Sequence, residues 1–496
     1  MSIVQHLSAL QVVVPLLSAP LIVLLRPPGL AWAAATAASL MAFAIAIALA
    51  LGVSDGNDFA YDMGSWPAPY GIALGVDAFS AILLLITTGA SSMALLGGRR
   101  SIDIQVETSR QPLFYSAWLL LLAGLVGIVV AADAFNIFVF MEISSLASYV
   151  LIAGGPDRRA LPAVFKYLIM GTIGATFYLI GIGLIYMMTG TLNMADMAVR
   201  IQDVSDQSPI LVAAGFITIG LALKAAIFPL HLWLPNAYTY APHVVTVFLA
   251  ACATKVALYV LIRFDFFVFQ PNLVGHAVQF AYFMMPLAIL AILVASAAAM
   301  FEPNIKRLFA YSSIAQIGYI TLGASLVSKA GLTASVLHIF NHSIAKGALF
   351  LSVACLAMRF SSLRLEALAG AGRTMPWTMA AFTLAGLSLI GVPGTAGFIS
   401  KWYLISAVLN EGALGVGLAV VIVVSSLMAA VYIWRVIEVA YFQLPKDGAA
   451  TVSEAPIELL AVTCLAALAN IYFGLSSDFP LSLSVDAAGL LLGNVP

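Results

Sequence analysis

The sequence predicts an all-α polytopic membrane protein of about fourteen transmembrane helices, two of them broken, with two inverted five-helix repeats. Three observations predict it. Of 496 residues, 62% are hydrophobic and 9% charged, against roughly 25% charged in soluble domains. Apolar runs of about twenty residues recur from end to end, each long enough to cross a hydrocarbon core of roughly 30 Å as a helix. Two of these runs are interrupted by helix-breaking residues five spans apart, and paired breaks in corresponding halves point to inverted repeats around a transport path. A water-soluble fold could not clothe such a surface. A transmembrane barrel would show ten-residue alternating segments, and the apolar blocks here are continuous.

The spans run from Val12 to Leu25, Ala31 to Leu51, Ala73 to Leu96, Pro112 to Ala131, Ala134 to Ala153, Pro162 to Thr189 and Pro209 to Tyr240. They continue from Val244 to Arg263, Gly275 to Met300, Asn304 to Val327, Gly331 to Met358, Pro376 to Leu409, Gly412 to Phe442 and Pro456 to Gly474. The first block lacks a basic leader and a small-residue cleavage site, so it reads as a retained helix. Ser54 to Gly71, with Asp55, Asp58 and Asp62 among glycines and prolines, reads as an extracytoplasmic loop. Leu192, Met194, Met197 and Ile201 are spaced as in a short helix lying at the membrane surface.

The breaks fall at Pro229 with Pro235, and at Gly391, Pro393 and Gly394. Their spacing divides the chain into residues 1–111 with three helices, a first repeat over 112–265, a second over 266–442, and a last helix and tail over 443–496. The bland alternative is an ordinary proline kink in each span.

Charge alternation tests the count. With the N-terminus outside, fourteen of the 21 Lys and Arg residues fall in alternate loops, from Arg26 to Lys446, and only Arg200, Arg263 and Lys329 fall opposite. Positive residues collect on the cytoplasmic side. This predicts a multi-pass protein of the cell inner membrane with both termini outside the cytoplasm.

The net charge of -1 carries no message about nucleic acid. Cys252, Cys355 and Cys464 stand singly in apolar segments, with no pattern for zinc or an iron–sulfur centre, so no cofactor is expected.

The informative residues are charges where hydrocarbon forbids them. Glu142, Lys224, Lys255 and Lys346 lie inside apolar helices and Lys401 follows the second break, each costing about 2.5 to 3.5 kcal/mol at mid-bilayer. Four lysines against one carboxylate cannot all be neutralised as static ion pairs. Burial disfavours the ammonium and a nearby carboxylate restores it, so moving one charge changes whether the next lysine holds its proton. That is the physics of a relay for protons or other monovalent cations. The alternative is that the lysines only tie helices together. His338, His342 and Lys346, spaced four apart, share one helix face and add a titratable stripe. Its rivals are packed histidines bridging helices, or a zinc pair without a third ligand. His231 and His243 read as loop or interface residues near the first break.

At Glu142, Lys224, Lys255, His338 and Lys401 the chain resembles the antiporter-like family shared by Mrp cation/proton antiporters and respiratory complex I, where its members are the L, M and N subunits. The segments that carry the resemblance are DAFNIFVFMEISSLASYVL, FPLHLWLPNAY, HIFNHSIAKGALF and GLSLIGVPGTAGFISKW. The resemblance implies a coupled Glu142–Lys224 pair, a central relay lysine at Lys255, and a bridge through His338 to a terminal Lys401. Lysine at 401 looks more like the Mrp D protein than the M protein of complex I. Where the family commonly has aspartate and histidine after WLP, this chain has Asn236 and Tyr238. The implied function is proton translocation within a hetero-oligomeric Mrp-type antiporter exchanging protons and Na+. The alternative is a membrane-arm component of an NADH-quinone or hydrogenase-type complex, and a structural bundle or an anion-binding solute transporter is a third reading.

Overall fold

The computed structural model describes residues 6–25, 27–57, 59–269, 276–444 and 453–493. Arg26, Asp58, Gly275 and Lys446 lie outside them.

Every predicted span contains helix, although the span from Ala73 opens in a strand. In the first part, α1 (Leu7–Val23) and α2 (Pro28–Ser54) pack on each other and against the fourth helix. The predicted loop at Ser54–Gly71 contains more than turns: β1 (Phe59–Asp62) pairs antiparallel with β2 (Ala73–Val76), Phe59 opposite Val76. The alternation there is too short to stand out beside the flanking apolar helices. α3 (Ala78–Gln105) starts at a capping box, in which Ser80 N donates to Asp77 Oδ1 at 2.9 Å and Asp77 N to Ser80 Oγ at 2.7 Å. α4 (Gln111–Val130) has proline in its first turn, and α5 (Ala134–Ala153) is capped by Asp133, which accepts from Asn136 N at 2.9 Å. α6 (Ala160–Thr189) ends at Gly190, whose φ of +70° suits glycine. α7 (Met194–Ile201) is the expected short amphipathic helix, burying Met194, Met197 and Ile201.

The first break then appears as drawn from the sequence. α8 (Ser208–Ala225) stops at Ala226, the chain turns through Pro229, and α9 (Leu234–Tyr240) resumes with Pro235 in its first turn. α10 (His243–Phe248) continues through a π-helical turn, Leu249–Ala253, into α11 (Thr254–Arg263) and a second π segment, Phe264–Phe269. α12 (His276–Phe301), α13 (Ile305–Ser325), α14 (Lys329–Ala357) and the one-turn α15 (Ala371–Thr374) follow. The second break separates α16 (Pro376–Ile390) from α17 (Ala396–Leu409), with Gly391 at φ +91° and Gly394 at φ +86°. α18 (Gly412–Phe442), α19 (Ile457–Leu475) and α20 (Asp478–Leu491) complete the chain. α20 corrects the predicted tail. It packs against α14 and α3, and at about 21 Å it is too short and too polar to register as a span.

Eleven of the described helices are long and apolar enough to cross a membrane, and the chain is a multi-pass membrane protein. Three spans, Thr108–Val130, His243–Phe269 and α14, are about nine-tenths buried, whereas α18 is mostly exposed. Helices satisfy their own backbone, so a bundle of this kind can sit in hydrocarbon and still carry irregular backbone at its centre. Short bridges tie the loops at either end. Leu74 pairs with Ala131 and Asp133 with Asn193 at the hairpin end, and Asn304 with Arg364 at the opposite, arginine-rich end.

Candidate functional site

The charges singled out from the sequence lie inside the bundle. Glu142 on α5 has Oε1 3.6 Å from Lys224 Nζ on α8, and the lysine is almost fully covered while the carboxylate keeps a third of its side chain exposed. Lys224 Nζ donates to Ser145 Oγ at 2.6 Å, and Ser145 donates in turn to Met141 O at 2.7 Å. The carboxylate and the serine are thus alternative partners for one ammonium. Beside them Tyr167 stacks on Trp233 at 4.1 Å, and Trp233 Nε1 donates to Leu223 O at 2.9 Å. A cavity of about 40 Å³ runs from Lys224 and Ser145 past Trp233 to Ala253 and Val256, which flank Lys255 in sequence. It has room for water among polar partners.

Lys255 is fully buried at the start of α11 and donates to Ala250 O within the π turn. The Lys224 ammonium likewise lies in the last turn of a helix that ends at a break. Carbonyls left free by such irregularities, and the negative end of a helix dipole, are suitable partners for a cation in hydrocarbon.

α14 carries the predicted stripe. The rings of His338 and His342 stack 5.9 Å apart at 7°. His338 joins two other helices, with Nε2 2.9 Å from Gln316 Oε1 on α13 and Nδ1 2.9 Å from Ser400 Oγ on α17. A glutamine oxygen accepts, which assigns the proton to Nε2 and leaves Nδ1 to accept from the serine. Neither ring nitrogen of His342 has a hydrogen-bond partner among the described residues. Lys346, one turn on, donates to Phe309 O at 2.7 Å and to Ser312 Oγ.

Lys401 is bound at the second break. Its three donors go to Leu389 O at 3.0 Å, Ile390 O at 2.9 Å and Ser426 Oγ at 3.0 Å, and Nζ lies 4.9 Å from the centre of the Tyr319 ring. The two carbonyls are those that α16 leaves open by ending at Gly391. A Cβ at Gly391 would stand 2.9 Å from Lys401 Cδ, in a left-handed conformation. Gly391→Ala is therefore expected to cost about 1–2 kcal/mol in backbone conformation alone and to displace Lys401. The check is thermal stability in detergent together with transport; full stability and full activity would rule out this coupling.

Sequence reasoning missed the groups between the charges, namely Ser145, Ser312, Gln316, Ser400 and Ser426. Their signal was polarity inside apolar spans, clearest in YSSIAQIGY of α13. It also missed the ion pair between Arg263 Nη2 and Asp77, at 2.9 Å to Oδ1 and 2.7 Å to Oδ2. His231 lies in the turn between α8 and α9, within the first break, and is buried there with its ring stacked on Phe228 at 5.1 Å. Tyr238, one of the departures from the family pattern, is buried and donates to Leu249 O at 3.1 Å, at the start of the π turn.

The chain has relatives among known proteins. A family model described as "NADH:quinone oxidoreductase/Mrp antiporter, TM" matches residues 131–429, which contain both breaks and every buried lysine of the series. The chain is 42% identical over 399 residues to a protein of Desulforudis audaxviator named as the N subunit of NADH-quinone oxidoreductase, covering 79% of this chain and 78% of the relative. It is 31% identical over 365 residues to a protein of Alkalihalophilus pseudofirmus named as the D subunit of a Na(+)/H(+) antiporter, covering 72% of each. Among solved structures, it is similar to a chain of an archaeal membrane-bound sulfane sulfur reductase, with a TM-score of 0.91, 31% identity and 98% of both chains covered. A chain of the Mrp complex from Dietzia sp. superposes with a TM-score of 0.89 at 26% identity, covering 99% of this chain and 98% of the other. The chain belongs to the NADH:quinone oxidoreductase/Mrp antiporter family of membrane proteins.

Proposed function

We propose that the chain is the proton-translocating component of a multi-subunit monovalent cation/proton antiporter, of the kind the Mrp D protein represents. One observation carries the reading: of the buried Lys224, Lys255, Lys346 and Lys401 only Lys224 has a carboxylate within 4 Å among the described residues, and beside them stand hydroxyl, amide and imidazole groups able to pass protons. Glu142, Lys224, Lys255, His338 and Lys401 form the relay, with His342 and Lys346 in support. Residues 112–265 and 266–442 are the two inverted repeats, each containing one broken helix. The arginine-rich end faces the cytoplasm, as the distribution of Lys and Arg favours, and both termini lie outside it. The chain works beside other membrane subunits, moving protons and exchanging Na+.

A second reading is favoured by the relative at 42% identity, whose name places it in an NADH-quinone oxidoreductase. There the same path would be driven by electron transfer in partner subunits. Purification of the intact complex separates the two, since cation-antiport subunits are expected with the first and electron-transferring subunits with the second. Within either complex, Lys255→Met is expected to bring proton transport in vesicles to background, because the relay loses its central member. Normal transport by an assembled Lys255→Met complex would overturn both readings.

A further inference from the structure

At the arginine-rich end of the bundle, the α5–α6, α9–α10 and α12–α13 connections and the segment after α14 surround a polar cavity of about 520 Å³. It is large enough to hold many waters. Its charges are unequally answered. Asp157 is held by Arg159 at 2.8 Å, and Glu302 lies 3.5 Å from Arg307. The bonds from Arg159 hold the Asp157 carboxyl below its ordinary value, so it stays an anion and is no proton acceptor. Two further titratable groups in the wall make no ion pair within 4 Å among the described residues, although the Asp157 charge acts on Lys306 through space. Lys306, in the first turn of α13 and 2% exposed, has Nζ on Ala241 O at 2.7 Å. His243, two residues beyond that carbonyl, bonds Gln105 only through its backbone N–H, and its buried Nδ1 has no partner among the described residues. Tyr240 and Arg364 complete the titratable and charged lining, the former lying under Arg159 at 4.8 Å.

The floor of this bowl lies close to the relay. Lys346 donates to Phe309 O and Ser312 Oγ, three and six residues along α13 from Lys306, which is one to two helical turns, or about 4.5 to 9 Å. The Phe309 ring, 5.2 Å from Lys346 Nζ, stands at this junction.

We infer that the bowl is a proton-uptake site feeding Lys346, with His243 and Lys306 as its acceptors. A proton leaves bowl water for the imidazole or the lysine amine and passes on past Ser312 to the neutral amine of Lys346, while the next proton from water restores the acceptor. No other bond changes. Phe309 keeps bulk water from following. The inference rests on the relay reading and adds to it the place where protons are loaded. It also gives His243 a role that its reading as a loop or interface residue lacked.

The test measures transport in vesicles holding the intact complex while the pH on the bowl side is varied. His243→Gln and Lys306→Gln are expected to slow transport at least several-fold at alkaline pH. They should approach the parent rate below about pH 6.5, the ordinary histidine value, where protons in water are abundant enough to bypass the missing acceptor. Added imidazole is expected to restore the rate of His243→Gln at alkaline pH. Should Lys306→Gln fail to assemble, His243→Gln with imidazole rescue carries the test alone, because that side chain's Nδ1 bonds nothing that must be replaced. A rate equal to the parent's across the pH range, or a loss that is independent of pH and not rescued, overturns the uptake site. Either result leaves the relay standing, which Lys255→Met tests separately.

Discussion

Lys224→Ala in the assembled complex is expected to lower proton transport by about a hundredfold. The ammonium of Lys224 is the group that both Glu142, at 3.6 Å, and Ser145, at 2.6 Å, address. Without it a proton must pass from α5 to the cavity beside Lys255 with no basic side chain to receive it. A charge unassisted in hydrocarbon costs about 2.5–3.5 kcal/mol or more, close to two factors of ten at about 1.36 kcal/mol each. Glu142→Gln should act differently. It keeps the shape and removes the charge, so Lys224 is left to Ser145 and loses the partner whose approach and withdrawal alter its hold on a proton. Both variants should assemble, because Glu142 is a third exposed and Lys224→Ala removes a buried charge rather than creating one. Transport of protons into vesicles at parent rates by either variant would sink the pair as a gate.

Arg263→Met is expected to have the largest effect on stability. Asp77 caps α3 and receives two bonds from Arg263, whose own side chain is nearly covered and lies over Tyr259 at 4.8 Å. Removing one partner of a buried pair leaves the other charge unanswered, at a cost of about 3–5 kcal/mol. Arg263→Met preserves the cap, so its effect reports the ion pair alone. The measurement is the midpoint of thermal unfolding of the purified complex in detergent and the amount of chain found assembled. Combining Arg263→Met with Asp77→Asn should recover most of the loss, since no charge is then stranded. A single variant as stable as the parent would show the pair to be energetically neutral.

Much of this architecture was legible in the sequence because hydrocarbon enforces simple rules. Apolar blocks of sufficient length became helices, Pro229 and the Gly391–Pro393–Gly394 cluster became breaks, and the Met194, Met197 and Ile201 spacing became α7. What failed to show was short or cooperative. The hairpin of β1 and β2 has four residues a strand, and α20 depends on α14 and α3 for its burial. In the site, buried charges announced themselves by their cost, whereas their partners did not. Ser145, Gln316 and Ser400 are ordinary residues in isolation, and only the packing of α5, α13 and α17 places them against Lys224 and His338. Arg263 was read only as a charge on the opposite side, because its partner Asp77 lies 186 residues away.

The π turn at Leu249–Ala253 holds one residue more than an α-helical ladder has places for. Two of its carbonyls are occupied from the side, Leu249 O by the Tyr238 hydroxyl at 3.1 Å and Ala250 O by the Lys255 ammonium. Such insertions are discrete: the extra residue is either at this turn or at another. Its passage along the helix would carry each side chain it overtakes through about 100° around the axis and about 1.5 Å along it. Lys255 sits two residues from the turn and is tethered to it, so the place of its ammonium in the bundle is tied to where the extra residue sits. The π turn thereby sets the angle around the helix axis at which the central lysine points into the bundle.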